Sequence, residues 1–186
     1  MTSRRRASQG RRINPHIWVF CEGETEEEYV NFLKREYRLP IEIITKVAGN
    51  KINSRYINEC KRGLAQHESD KTFLIYDSDI LAVLERLSAI RGVSIILSNP
   101  SIEIWYLLHY KNQRSQIITT DCIRELSNRN RIEYKKGHID VRLKEKLTIS
   151  RHEACRRSRV TIIPINPSTN FHEFIEFLEE QRNLQD

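Results

Sequence analysis

Short apolar runs alternate with segments of helical period from residue 16 onward, and that alternation sets the expected architecture. His16 to Cys21 packs aromatic and β-branched residues between Pro15 and Gly23, the composition of a buried strand. Ile41 to Val47, Thr72 to Tyr76, Val93 to Leu97 and Val160 to Ile163 read the same way. After the first run, Tyr29, Val30, Phe32, Leu33 and Tyr37 recur at helical spacing. Thr25 is the expected N-cap, Glu26, Glu27 and Glu28 suit the positive end of the helix dipole, and Pro40 stops the element. Further helices are expected from Asn53 or Ser54 to Leu64, from about Ile80 to Ile90, and from Pro100 to Tyr110. Others follow at Asp121 to Ser127, over most of Val141 to Ser158, and at Phe171 to Leu184. The helix carrying Ile102, Ile104, Trp105, Leu107 and Leu108 is apolar almost all round and should be well buried.

Strands separated by helices imply an α/β fold, a mostly parallel sheet flanked by helices. A helical, basic insertion at about 112–158 precedes the last expected strand. The expected organisation is a flexible basic arm at 1–14 and a single domain over 15–186. A chain of 186 residues is long enough to bury a real core. No apolar run approaches the roughly 18 residues that span a bilayer. The basic start, Met1-Thr2-Ser3-Arg4-Arg5-Arg6, lacks a following apolar stretch, so a cytoplasmic address without membrane attachment is expected. Four scattered cysteines without a CxxC pair argue against a zinc cluster or a disulfide framework.

Charge changes the picture more. The formal charge is +6 with an isoelectric point near 9.2, which fits a nucleic-acid partner. Arg4, Arg5, Arg6, Arg11 and Arg12 make the arm basic, and a second cationic stretch runs from Arg124 to Arg159. Alone, that stretch reads as solvated helix faces; beside a metal site it becomes a candidate phosphate track.

Acidic residues follow three of the strand runs. Glu22-Gly23-Glu24-Thr25-Glu26 follows the first, Asp77-Ser78-Asp79 the third, and Glu103 lies just past the fourth. In an open α/β sheet the carboxyl ends of the strands line the ligand crevice. Gly23 lets the chain turn sharply and leaves Glu22 uncovered at the strand tip. Two carboxylates on an Asp-x-Asp loop suit Mg²⁺, which takes a few carboxylates plus water and substrate phosphate. Each motif alone is matched by ordinary caps and turns; both in this order point to a metal site. His109, six residues beyond Glu103 and roughly 600° round the helix, reads either as a buried hydrogen-bonded histidine or as a catalytic one. Lys136 reads as a phosphate-neutralising cation or a solvated lysine.

These motifs resemble a known family. The Glu at the first strand and the Asp-x-Asp at a later one resemble the Toprim fold of topoisomerases, primases and nucleases. More specifically, Val19-Phe20-Cys21-Glu22-Gly23-Glu24-Thr25-Glu26, with Tyr29 and Phe32, is similar to the opening motif of RloB-like proteins, a Toprim-related family of bacterial phage-defence and restriction-associated loci. Ser98 through Tyr110 resembles that family's hallmark block, and Tyr134-Lys135-Lys136 and Asn166-Pro167-Ser168-Thr169 resemble two shorter motifs. Ser101-Ile102 before Glu103, and Ile80-Leu81 after Asp79, depart from the family pattern. The resemblance implies a Toprim-like sheet and a Mg²⁺- or Mn²⁺-dependent nuclease acting on RNA (tRNA included) or DNA in anti-phage defence. Glu22, Glu26, Asp77, Asp79 and Glu103 would be the metal ligands, with Lys136 and His109 as further catalytic candidates. The alternative is a non-catalytic nucleic-acid- or nucleotide-binding sensor, working with a partner protein encoded in the same locus.

Overall fold

Strand β1 (His16–Cys21) lies inside a five-stranded sheet, and its side chains divide the protein into two cores. The computed structural model describes residues 15–39 and 41–184; the expected arm at 1–14 and Pro40 fall outside them. Alternate side chains of a strand point to opposite faces. Ile17, Val19 and Cys21 therefore enter one hydrophobic cluster, and Trp18 and Phe20 the other. Strand β3 (Lys71–Asp77) does the same, with Phe73 and Ile75 on the first face and Leu74 and Tyr76 on the second. Burial on both faces explains why these strands read as continuous apolar runs.

The sheet order is β2-β1-β3-β4-β5, where β2 is Glu42–Val47, β4 is Ser94–Asn99 and β5 is Ser168–Thr169. The first four strands pair in parallel, and β5 pairs antiparallel to β4. Helix α1 (Glu24–Tyr37) connects β1 to β2, α2 (Ser54–Lys61) leads to β3, and α3 (Leu81–Ser88) leads to β4. Helices α2 and α3 cover the smaller core, through Ile57, Val83 and Leu87. On the other face lie α1 and α4 (Glu103–Tyr110), joined by α5 (Thr119–Asn130), α6 (Val141–Ile149), α7 (Arg151–Ser158) and α8 (Phe171–Asn183). The α5–α7 segment contributes Cys122, Leu126, Leu143, Leu147 and Ala154 to the main core. It is part of the same packed unit.

Helix α4 is the centre of that unit. Every residue from Glu103 to His109 is buried, and Trp105 stacks on Phe171 at 5.3 Å between ring centroids. Tyr29 meets Trp105, Tyr106 and Phe171 edge-on.

Three expectations are corrected. The fifth strand is not at 160–163: Val160 and Ile162 are 70% and 67% exposed, in turns that follow α7. An apolar run makes a strand only where a sheet edge receives it, and the edge of β4 is taken by Ser168 and Thr169 instead. The cap of α1 is Gly23 rather than Thr25, because the Glu26 carboxylate reaches back to the Gly23 N–H at 3.0 Å. Pro100 precedes α4 instead of opening it, since Ser101 and Ile102 form the turn whose carbonyls accept from Ile104 and Trp105.

Candidate metal centre

Strand order reverses direction at β1: the chain steps outward to β2, then returns to add β3 and β4 on the other side. That reversal opens a crevice between the carboxyl ends of β1 and β3, where open α/β sheets bind ligands. Glu22 and Asp77 stand on its two lips. The Glu22 N–H continues the sheet by donating to the Ile75 carbonyl at 3.0 Å, and Glu22 Oε2 accepts from the Asp77 N–H at 2.8 Å. The two strand ends are thereby clamped by a carboxylate.

Glu26 enters from the first turn of α1. Its Oε2 is fixed by the Gly23 N–H, and a Cβ on residue 23 would stand 3.3 Å from that oxygen. A side chain at 23 would thus crowd that carboxylate by a few tenths of an ångström. Glu103 enters from the start of α4 and is 0% exposed. Its Oε1 accepts from the Tyr134 hydroxyl at 3.1 Å and lies 3.8 Å from Lys136 Nζ. Tyr134 and Lys136 belong to the loop between α5 and α6, which is pinned to α1 by the Gly137 N–H donating to Thr25 Oγ1 at 3.0 Å. Gly137 has φ +70, and a Cβ there would meet Glu24 at 3.6 Å.

The result is a cleft of about 420 Å³ bordered by Glu22, Glu24, Glu26, Asp77, Lys136 and Gly137, with Glu103 beside it. Its electrostatics are unfavourable by construction. Burial, then the charges of Glu26, Glu22 and Glu103, push the Asp77 carboxyl up to about 9, against a lowering influence from Lys136. Burial, with Glu103 and Glu22 behind it, pushes Glu26 up to about 7 in spite of its backbone hydrogen bonds. The Tyr134 hydroxyl is raised by burial and by Glu103, so it stays a donor. Two buried oxygens, Asp77 Oδ1 and Glu103 Oε2, have no hydrogen-bond partner. Unpaired buried carboxylate oxygens are costly, and a cation would relieve them. Among the described residues, no three His, Cys, Asp or Glu side chains stand together in an arrangement that could by itself hold a metal ion. Glu22, Glu26 and Glu103 each also accept a hydrogen bond within the protein. A divalent ion at this cleft would complete its shell with water and phosphate oxygens, as Mg²⁺ commonly does.

Of the residues expected at the site, Glu22, Glu26, Asp77, Glu103 and Lys136 come together. Asp79 does not line the cleft; it is exposed on the loop beyond the buried Ser78, whose N–H is held by the Ser98 carbonyl at 2.8 Å. His109 lies at the far end of α4, where Nδ1 bonds the Trp105 carbonyl at 2.9 Å and the ring packs on Trp105. Burial and the nearby Arg151, Lys146 and Arg157 charges push it down to about 3, so it is a neutral core histidine. Tyr76 sits on the opposite face of the sheet, its hydroxyl donating to the Gly49 carbonyl at 3.0 Å. Tyr134 and Thr25 carry functions that the sequence does not assign to them. The signals for Tyr134 are the family resemblance of Tyr134-Lys135-Lys136 and the isolation of an aromatic residue in a polar basic loop.

The residues that build the cleft fall inside one comparison: a family model described as RloB-like protein matches residues 17–178, most of the chain. The chain belongs to the RloB-like family. Comparison with curated proteins and with solved structures found no match. In this RloB-like protein the matched span takes in Glu22, Glu24, Glu26, Asp77 and Glu103, the Tyr134 loop and the β4–β5 closure. Ser98 Oγ and Thr169 Oγ1 are 2.9 Å apart there, and Asn99 Nδ2 donates to the Pro164 carbonyl, so these motif residues hold loops.

Proposed function

We propose that this protein is a metal-dependent nuclease of Toprim type, using Mg²⁺ or Mn²⁺ to hydrolyse phosphodiester bonds in RNA or DNA, in bacterial anti-phage defence. The observation that carries the reading is the meeting of Glu22, Glu26, Asp77 and Glu103 at the strand ends with two oxygens unpartnered. Asp77 and Glu103 would supply those oxygens to the ion, with Glu22 and Glu26 behind them. The bound ion would supply a Lewis acid for the phosphate and an acidified water. The chain's own residues have separate tasks. Tyr134 fixes the rotamer of Glu103 by its hydrogen bond. Lys136, with a side chain 57% exposed, can swing from Glu103 to a substrate phosphate as a point charge. Tyr76, the tyrosine beside Asp77, packs on the opposite face of the sheet, and in this reading the nucleophile is water.

The test is degradation of labelled total RNA and of plasmid DNA with Mg²⁺, with Mn²⁺ and with EDTA, by wild type and Asp77→Ala. Cutting by wild type that needs the metal and disappears in Asp77→Ala is expected. Cutting that survives in the variant, or no cutting on either substrate, would overturn the reading.

The commitment of one Glu22 oxygen and one Glu26 oxygen to backbone N–H groups favours a second reading, a nucleic-acid- or nucleotide-binding sensor whose partner, encoded nearby, does the cutting. It expects salt-dependent binding without cleavage.

A further inference from the structure

A second cleft, of about 430 Å³, opens at the other end of α4, between α5 and α6. Arg129, Arg131, Arg142 and Lys146 face it, Tyr110 lies at its base, and Glu145 is the one acid in its wall. Arg129 is paired with Glu125 at 3.2 Å. Among the described residues no carboxylate lies within ion-pair distance of Arg131, Arg142 or Lys146. Three unpaired cations around one recess repel each other unless an anion joins them.

The cleft is also held in shape. The Asn130 amide is used at both ends, accepting from the Tyr110 hydroxyl at 3.1 Å and donating to Asp140 Oδ2 at 2.7 Å. Asp140 in turn caps α6 by accepting from the Arg142 and Leu143 N–H groups. Arg142 Nη1 lies 3.5 Å from the Asn130 carbonyl, and Lys146 Nζ stands 5.3 Å above the Tyr110 ring. Arg131 ends α5 at φ 56, a left-handed conformation that residues other than glycine seldom adopt. Guanidinium forks beside a lysine suit a phosphate group, which the forks bind through paired N–H bonds.

Its position relates it to the carboxylates. Helix α4 has Glu103 at one end and Tyr110 at the other, about 10 Å apart at 1.5 Å per residue. The loop that brings Tyr134 and Lys136 to the acidic cleft leaves from Arg131 and returns at Asp140. The same loop therefore borders both clefts, Lys136 and Gly137 at the acidic one and Arg131 at the recess.

We propose that the recess formed by Arg131, Arg142 and Lys146 is a second phosphate subsite, which grips the nucleic-acid backbone a short distance from the carboxylate cleft. It rests on the nucleic-acid reading above, but not on cleavage. The experiment is fluorescence anisotropy of single-stranded RNA and DNA dodecamers with the full-length protein in EDTA, across a salt series. The variant is Arg142→Gln with Lys146→Gln. The control is Lys135→Gln with Lys144→Gln, which removes the same charge outside the recess. The pocket variant should bind at least tenfold more weakly, and its salt slope should fall by about 0.7, the value for one single-strand phosphate no longer neutralised. The control should bind less than threefold more weakly. Equal weakening in both variants, or none in the pocket variant, would overturn the subsite, as would absence of binding by wild type. Adenosine monophosphate is titrated by calorimetry in parallel. Micromolar binding that needs Arg142 and Lys146, with oligonucleotide affinity independent of them, would make the occupant a free nucleotide and the proposal wrong. Cutting with Mg²⁺ is measured on the same variants, so a protein that grips but never cuts would refute the nuclease reading and leave the subsite standing.

Discussion

Asp77 is a liability to the metal-free protein, and its liability depends on pH. Its carboxyl is pushed up to about 9 in the folded state, against about 3.9 in an unfolded chain. Between those values the folded state holds a proton that the unfolded state has released, so stability falls as pH rises through the window. Glu26, at about 7, adds to the fall over the lower part of the range. Thermal unfolding in EDTA should therefore show a midpoint that drops from pH 5 to pH 9. Asp77→Asn should flatten that drop, matching wild type near pH 5 and exceeding it by a few degrees near pH 9, the equivalent of about 1–2 kcal/mol. Calorimetric titration should show Mg²⁺ or Mn²⁺ binding abolished in the same variant. A midpoint lower than wild type at every pH would make Asp77 a structural residue.

Lys136 makes a different expectation at this scale. Lys136→Ala removes a largely exposed ammonium whose partner is Glu103, so the fold should be unchanged to within about 0.5 kcal/mol. Turnover at saturating substrate should fall if the lysine meets the scissile phosphate. Turnover equal to wild type would return it to the solvated surface. Glu22, Asp77 and Glu103 can be found from the sequence because each follows an apolar run whose end has to lie at the sheet's carboxyl edge. Asp79 cannot be separated from Asp77 in that way, because two residues into a loop the direction of a side chain is set by the turn. Here the Ser78–Ser98 hydrogen bond sets it.

At the scale of elements, the loop between α5 and α6 is the piece on which the site depends. Few hydrogen bonds hold it inward: the Tyr134 hydroxyl on Glu103, Gly137 on Thr25, and the Tyr134 N–H on Ser127 Oγ at 3.0 Å. Tyr134→Phe leaves Glu103 Oε1 without its donor in a buried place, and should cost about 1–3 kcal/mol. Thr25→Ala should cost less, about 1 kcal/mol, and speed amide exchange at Gly137 while β1 and β3 stay protected. Hydrogen exchange read residue by residue distinguishes the two. Strands β1 and β3 are legible in the sequence because burial on both faces leaves a continuous apolar run, and β2 and β4, only partly buried, because their β-branched residues cluster between turn signals. Strand β5 is not, since two residues, Ser and Thr, carry no periodic signal, and the nearby Val160 to Ile163 run supplies a false one. The α1 cap is misplaced by sequence reasoning because Thr25 offers a capping hydroxyl, and the loop takes that hydroxyl first.

For the whole molecule, a carboxylate cleft belongs to a chain whose formal net charge is +6. Residues 1–14 include Arg4, Arg5, Arg6, Arg11 and Arg12, and their contribution to binding should be general attraction. Deleting residues 1–14 should weaken nucleic-acid binding severalfold at low salt and flatten its salt dependence, yet leave cutting at saturating substrate nearly unchanged. A fall in turnover as large as the fall in affinity would place these residues in the chemistry instead.

The two margins of the sheet carry a consequence for how this protein can meet others. On one side, β5 is only two residues long, too short to template a further strand. On the other, the outermost strand β2 presents Glu42 and Lys46, and Lys34 Nζ occupies the Ile43 carbonyl at 2.8 Å. Charged residues and a lysine on an edge are how sheets resist zipping onto their neighbours. Edge-to-edge pairing of the folded protein with another copy is therefore disfavoured, and the apolar runs of β1 and β3, the segments able to seed fibrils, stay covered as long as the sheet is intact.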